Sequence, residues 1–304
     1  MPDKSTSLPP TPSPAGPGSA TAMLRAPFVR ARAGLGRMSG NRLLFNGSTI
    51  TFAVLVILAI LAPVLTPYDP VKTDLSAIAE PPSLSHLFGT DTQGMDIFTR
   101  VLYAARTDLI LSIVGVTIAL GVGLVLGSAA VVIGRWFDEI VSRIAEMIQS
   151  IPLFLFALMV IAALGNSPAV ICGIIAVFYA PAFFKVARSV AAPILGTDFV
   201  AVARTAGRSS AGIIFHHIVP NSLGPVLSQF AVNVGFAIQV IAGLSFLGLG
   251  IPIPEPEWGG MISIGAARIA YGDWWMAFFP GVAVFVTVIA LDGIGRRIVK
   301  FSGR

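Results

Sequence analysis

The chain has 304 residues, of which 55% are hydrophobic and only 12% charged, with a mean hydropathy of +0.84 and a formal net charge of +5. Such a composition excludes an ordinary soluble domain and points to a polytopic membrane protein. Most of the length is taken up by spans, each needing about 20 apolar residues because backbone N–H and C=O groups find no water partners in lipid.

In chain order, residues 1–45 read as a cytoplasmic tail, with residues 1–22 rich in Pro, Ser, Thr and Gly and therefore disordered. Those first residues hold no apolar core of a secretory signal, so the first span, residues 49–65, reads as an uncleaved anchor. Residues 46–107 form the first transmembrane helix and an extracytoplasmic segment, and residues 108–304 the main transmembrane domain. Its spans are predicted at 109–133, rich in glycine (Gly115, Gly121, Gly123, Gly127), at 147–164, at 169–184 with an extension towards residue 194, at 223–249 and at 274–291. An amphipathic turn with Asp138, Glu139, Arg143 and Glu146 leads into the third span, and Pro152 and Pro181 are expected inside spans. The fold class is thus all-α, with six transmembrane helices. Cys172 falls in the fourth span, where packing is its expected role.

Residues 198–221, DFVAVARTAGRSSAGIIFHHIVPN, interrupt this apolar pattern. They read as two short helices broken at Gly207, where a chain leaving a helix needs positive φ. Asp198 is expected to cap the first helix, Ser209 or Ser210 the second, and Pro220 to end it. A helix–turn–helix between two spans either presents a surface to a partner in the water phase or is a solvated loop.

Orientation follows from the basic residues, which concentrate on the cytoplasmic side of membranes. With the N-terminus inside, the inner segments hold Lys4, Arg25, Arg30, Arg32, Arg37, Arg42, Arg135, Arg143, Lys185, Arg188, Arg204, Arg208, Arg296, Arg297, Lys300 and Arg304. Only Lys72, Arg100, Arg106 and Arg268 remain outside. Both termini and residues 198–221 are therefore expected in the cytoplasm, and the net positive charge is a topology signal rather than a sign of nucleic-acid binding. Trp136, Trp258, Trp274 and Trp275 fall at span ends or in loops, as interfacial aromatics should.

Catalytic motifs are missing. Lys4, Lys72, Lys185 and Lys300 do not follow a glycine, so no phosphate-binding loop exists. His86, His216 and His217 form no zinc motif, and Ser245 lies in GLSFLG, which is not a nucleophile elbow. No catalytic residue, metal or cofactor is expected. Asp108, Asp273 and Asp292 fall at span ends, which leaves the span centres without the carboxylates an ion-coupled carrier normally uses. Gln229 and Asn233, spaced i, i+4 on the fifth span, either line a polar path or make interhelical hydrogen bonds.

Four stretches resemble one family. Residues 86–106, HLFGTDTQGMDIFTRVLYAAR, are similar to FGTDxxGRDxxSRxxxGAR; residues 198–221 to the EAAxxxG loop followed by HxLPN; residues 244–260, LSFLGLGIPIPEPEWGG, to LSFLGLGxxPPxPxWG; and residues 279–295, FPGVAVFVTVIALDGIG, to a final span. The chain resembles the permease subunits of bacterial ABC importers of the dipeptide/oligopeptide/nickel class, of the DppC/OppC type. The resemblance implies the type I ABC importer permease fold in the cytoplasmic (inner) membrane. Its partners would be a homologous permease subunit, two ATP-binding subunits that hydrolyse ATP in this chain's stead, and an extracytoplasmic substrate-binding protein. The solute would be a peptide or a related compound such as a nickel complex or opine. Residue by residue, the coupling segment falls on Asp198, Phe199, Ala201, Val202, Ala203, Arg204, Gly207, Arg208, His217, Pro220 and Asn221, with Phe199, Val202 and Ala206 as an apolar docking surface. The chain departs from the family at Ala201, where the family has Glu, at Met95 for Arg, at Ala104 for Gly and at Ile241 for an acidic residue. An ion-coupled secondary transporter is the alternative.

Overall fold

The computed structural model describes residues 46–302, and the N-terminal tail and Arg304 lie outside the described residues. Among the described residues the regular structure is helical, apart from one isolated bridge between Thr90 and Asp96. The elements are α1 (Gly47–Leu65), α2 (Ile97–Ile133), α3 (Arg135–Ser150), α4 (Leu153–Leu164), α5 (Pro168–Leu195), α6 (Asp198–Thr205), α7 (Ser210–Ile213), a π turn (Ile214–Ile218), α8 (Val219–Phe246), α9 (Trp258–Arg268) and α10 (Trp275–Ser302).

Five helical segments are long and apolar enough to cross a membrane, and the bent pair α3–α4 makes a sixth candidate span. That pair corrects the third predicted span. Pro152 does not lie inside a helix but stands at the N-cap of α4, and the chain turns there by 91°. Its fixed φ and missing N–H suit the start of a helix and not its middle. The amphipathic turn is a full helix of 16 residues. Asp138 of α3 bonds to Arg188 of α5 at 2.5 Å, while Gln149, three turns further along α3, meets Lys185, only one turn away on α5. Helix α3 therefore crosses α5 steeply. Pro181 does lie within α5.

The core of the bundle is the parallel pair α2–α5. Gly115, Ala119, Gly123 and Gly127 recur every fourth residue on α2 and so share one face. A Cβ at Gly123 would stand 2.5 Å from Cβ of Phe183 and 2.6 Å from the carbonyl oxygen of Ala180; at Gly127 it would stand 2.6 Å from the carbonyl oxygen of Phe184. Removing side chains lets the backbones meet, which is how helices gain dispersion contacts where lipid supplies no hydrophobic drive. Helices α8 and α10 run antiparallel, with Gly235 against Val288 and Leu291, and Gly295 against Val232. Helix α1 is peripheral: only Ala59 and Ala62 are buried, and its N-terminal end meets α10 where Gly293 faces Ser48.

Two of the four tryptophans correct the interfacial expectation. Trp136 and Trp274 are exposed, but Trp258 and Trp275 are buried. Their indole N–H groups donate to the carbonyl oxygens of Val101 (3.0 Å) and Thr90 (3.2 Å), so the polar edge that would seek the interface is satisfied inside. Asp108 is a further correction. Asp96 caps α2 by accepting from the Thr99 N–H at 2.8 Å, so the helix begins at Ile97, well before the predicted span, and Asp108 lies buried within it.

Candidate functional site

The segment 198–221 forms an elbow. Its first helix, α6, starts with Asp198 as the first helical residue; the N-cap is Thr197, which makes no side-chain cap. This corrects the expected capping role of Asp198, whose charge instead complements the N-terminal dipole while Arg204 complements the C-terminal one. Gly207 has φ +77°, the left-handed geometry the turn requires. The Arg208 N–H reaches back to the Ala203 carbonyl at 3.0 Å and the Gly207 N–H to that of Arg204 at 3.0 Å, closing the end of α6. Ser209 then caps α7, its Oγ accepting from the Gly212 N–H at 3.2 Å.

Pro220 does not end the second helix. The chain runs from α7 through the π turn Ile214–Ile218 into α8, and Pro220 sits in the first turn of α8. Proline cannot supply the N–H that a continuous α-helix needs at that point, and the wider turn accommodates the loss without a break. The second arm of the elbow is thus the N-terminal end of a span. Asn221 donates through Nδ2 to the carbonyl oxygen of His217, and Ser222 to that of Ile218 at 2.9 Å, tying the turn to the helix.

The elbow is wedged into the bundle by its apolar side. Val200 of α6, Ile213 and the π-turn residues Ile214 and Ile218 pack with Ala129 and Val132 of α2 and Ala191 of α5. The other side is open. Ala201, Val202, Arg204, Ala206, Gly207 and Arg208 are exposed, Ala203 and His217 are intermediate, and Pro220 and Asn221 are exposed. The side chain of Phe199 lies outside the described residues. The elbow thus offers a small apolar patch flanked by two cations and joined rigidly to three spans.

The predicted pair Gln229 and Asn233 is bonded within its own helix. Gln229 donates through Nε2 to Asn233 Oδ1 at 3.1 Å, along one helix. The bond is not interhelical, and Nδ2 of the buried Asn233 has no partner among the described residues. Gln229 is half-buried.

At the opposite end, the stretch 244–260 is explained by two helix caps. Helix α8 closes with the Leu249 N–H bonded to the Leu244 carbonyl and the Gly248 N–H to that of Ser245, both at 2.9 Å, with Gly248 at φ +79°. A Cβ on Gly250 would overlap Ser245 Oγ. Glu257 caps α9 with both oxygens, accepting from the Gly259 N–H at 2.8 Å and the Gly260 N–H at 2.7 Å. The segment 86–106 holds this face. Arg100 is buried and donates to the carbonyl oxygens of Pro70 (2.6 Å) and Pro254 (3.2 Å), joining the segment before α2 to the connection between α8 and α9. Met95 and Ala104, two of the departures noted above, are both buried here, and Arg100 lies on the Met95 sulfur at 2.9 Å. The importance of Arg100 and Trp258 as tethers was not read from sequence; a lone arginine beside the aspartates Asp91 and Asp96 was the available signal.

Comparison with known proteins gives a consistent pattern. Residues 110–301 match the family of binding-protein-dependent transport system inner membrane components, and residues 44–82 match the N-terminal transmembrane domain of oligopeptide transport permease C. A dipeptide transport system permease protein DppC from Alkalihalophilus pseudofirmus is 38% identical over 259 residues, which is 85% of this chain and 84% of that protein. A probable D,D-dipeptide transport system permease protein DdpC from Escherichia coli is 35% identical over 270 residues, 86% and 90% of the two chains. A glutathione transport system permease protein GsiD from Salmonella typhimurium is 37% identical over 242 residues, 79% and 80% of the two.

Proposed function

The chain belongs to the family of binding-protein-dependent transport system inner membrane components, and from that membership we propose how its parts divide the work of a peptide-type ABC importer. It is the multi-pass permease subunit. ATP is hydrolysed by two separate ATP-binding subunits, a homologous permease completes the pathway, and an extracytoplasmic binding protein delivers the solute. The solute is a short peptide or a compound handled by the same chemistry. Both termini and the elbow face the cytoplasm.

In this reading the elbow is the element on which an ATP-binding subunit pulls. Its open face, formed by Ala201, Val202, Ala206, Arg204 and Arg208, docks on the partner, while Asp198, Phe199, Ala203, Gly207, His217, Pro220 and Asn221 shape it. The observation that carries the proposal is the wedge: Val200, Ile213, Ile214 and Ile218 are buried against the inner ends of α2 and α5, and the second arm continues into α8. A displacement of the elbow must therefore move spans as rigid bodies, the motion that alternating access requires. Gln229 and Asn233 line the path on α8. The experiment is uptake of a radiolabelled dipeptide by cells with the full importer, with Arg204→Glu/Arg208→Glu in this chain. Loss of uptake together with loss of co-purified ATP-binding subunit is expected; retained uptake would remove the elbow from its role.

A further inference from the structure

One buried cluster has no place in this division of work. Asp108 of α2, Ser245 at the end of α8 and Glu257 at the start of α9 all lie inside the protein, and Asp108 is bonded to the backbone of Trp258, the residue that follows Glu257. Asp108 Oδ2 accepts from the Trp258 N–H at 3.1 Å. Its Oδ1 is buried without a hydrogen-bond partner among the described residues. Both oxygens of Glu257 accept backbone N–H groups at the N-terminus of α9, which favours the anion there. Two neighbouring carboxylates in a buried site disfavour each other's ionised form. A proton on Asp108 Oδ1, donated to Glu257, gives the orphan atom its bond and leaves the anion where the N–H donors are.

We propose that Asp108 and Glu257 form a proton-binding site in which one shared proton fastens the outer connection, residues 250–257, to α2, and that its release to external water loosens that fastening. Burial pushes the Glu257 carboxyl up from its ordinary value. No cation among the described residues offsets the pair: Arg100 on α2 acts with Asp91 and Glu255, and Arg268 on α9 is bonded to Asp273. At the neighbouring end of α8 lies the buried Ser245, whose hydroxyl carries no charge. The folded chain holds a proton that the unfolded chain loses above about pH 4. Stability should therefore fall as pH rises from there through the folded value of the pair, and then level off.

The test uses the full-length chain in lipid nanodiscs, which reads protonation directly and does not depend on the transport role proposed above. The wild type should show an infrared C=O band of a buried carboxylic acid at neutral pH that vanishes on alkaline titration. Asp108→Asn keeps a donor and an acceptor in place; it should abolish the band and flatten the dependence of the unfolding midpoint on pH. If that variant does not fold, Glu257→Gln should shift the band, because the Asp108 acid then faces an amide in place of a carboxylate, and should change the pH dependence of the midpoint. Absence of the band in the wild type, or a band and pH dependence unchanged in a folded variant, would overturn the proposal.

Discussion

At Gly207 nothing lies within 4 Å of the place where a Cβ would stand, so the residue is required by its backbone angle and not by space. A β-branched side chain at φ +77° costs at least ~1 kcal/mol of backbone strain. Gly207→Val should therefore insert normally, because the spans are untouched, yet lose association with the ATP-binding subunits and lose uptake; normal uptake at wild-type expression would contradict the coupling role. Gly207→Asn should keep more activity, since Asn tolerates the left-handed region. Ala201 is exposed, so Ala201→Glu meets no steric barrier and should leave uptake at or above the wild-type level. Trp258 presents the opposite case. It is 1% exposed, and Trp258→Phe would strip the Val101 carbonyl of its donor. That carbonyl keeps its helical partner within α2, so the loss is that of one hydrogen bond, about 0.5–1.5 kcal/mol, measurable as a lower unfolding midpoint in detergent.

Among the elements, the α2–α5 pair is the most constrained by sequence. The contacts waiting for a Cβ at Gly123 include the backbone of Ala180 and Phe184, which cannot rotate away. Gly123→Val should force the two helices apart, and overpacking of this kind costs about 1–3 kcal/mol. Gly121, on the same helix, faces open space, and Gly121→Ala should be neutral. Comparing the thermal stability of the two variants checks whether close packing, rather than glycine content, matters on α2. The elbow obeys a different rule. Its second arm is only four α-helical residues before the π turn, so its stability comes from the Ile213, Ile214 and Ile218 contacts and not from helix propensity.

For the whole molecule, the basic residues predict that cysteines at Ser209 and Ser302 react with an impermeant thiol reagent only from the cytoplasm, and one at Ser76 only from outside. External labelling of the Ser209 probe in intact cells would overturn the orientation and the elbow's partner together. The purified chain should also show no saturable ATP binding, because it has no lysine placed after a glycine-rich loop to reach a phosphate.

Helical class, five long apolar helices and the elbow's place between two of them were readable from residue order, because hydrophobic length is a one-dimensional quantity that lipid imposes directly. The left-handed Gly207 and the Ser209 cap were readable for a similar reason: each is decided within a few residues of backbone. The 91° bend at Pro152, the passage of Pro220 into a span, and the burial of Trp258 and Trp275 were not. Each depends on which distant carbonyl or side chain is available to satisfy a polar group or fill a gap, and that is settled only when the helices pack. Asp108 shows the difference most directly. In sequence it is a carboxylate at a span's edge, where water would keep it charged. The fold starts its helix earlier, covers it with the chain around Trp258 and sets it against Glu257, and so decides its chemistry from residues about 150 positions away.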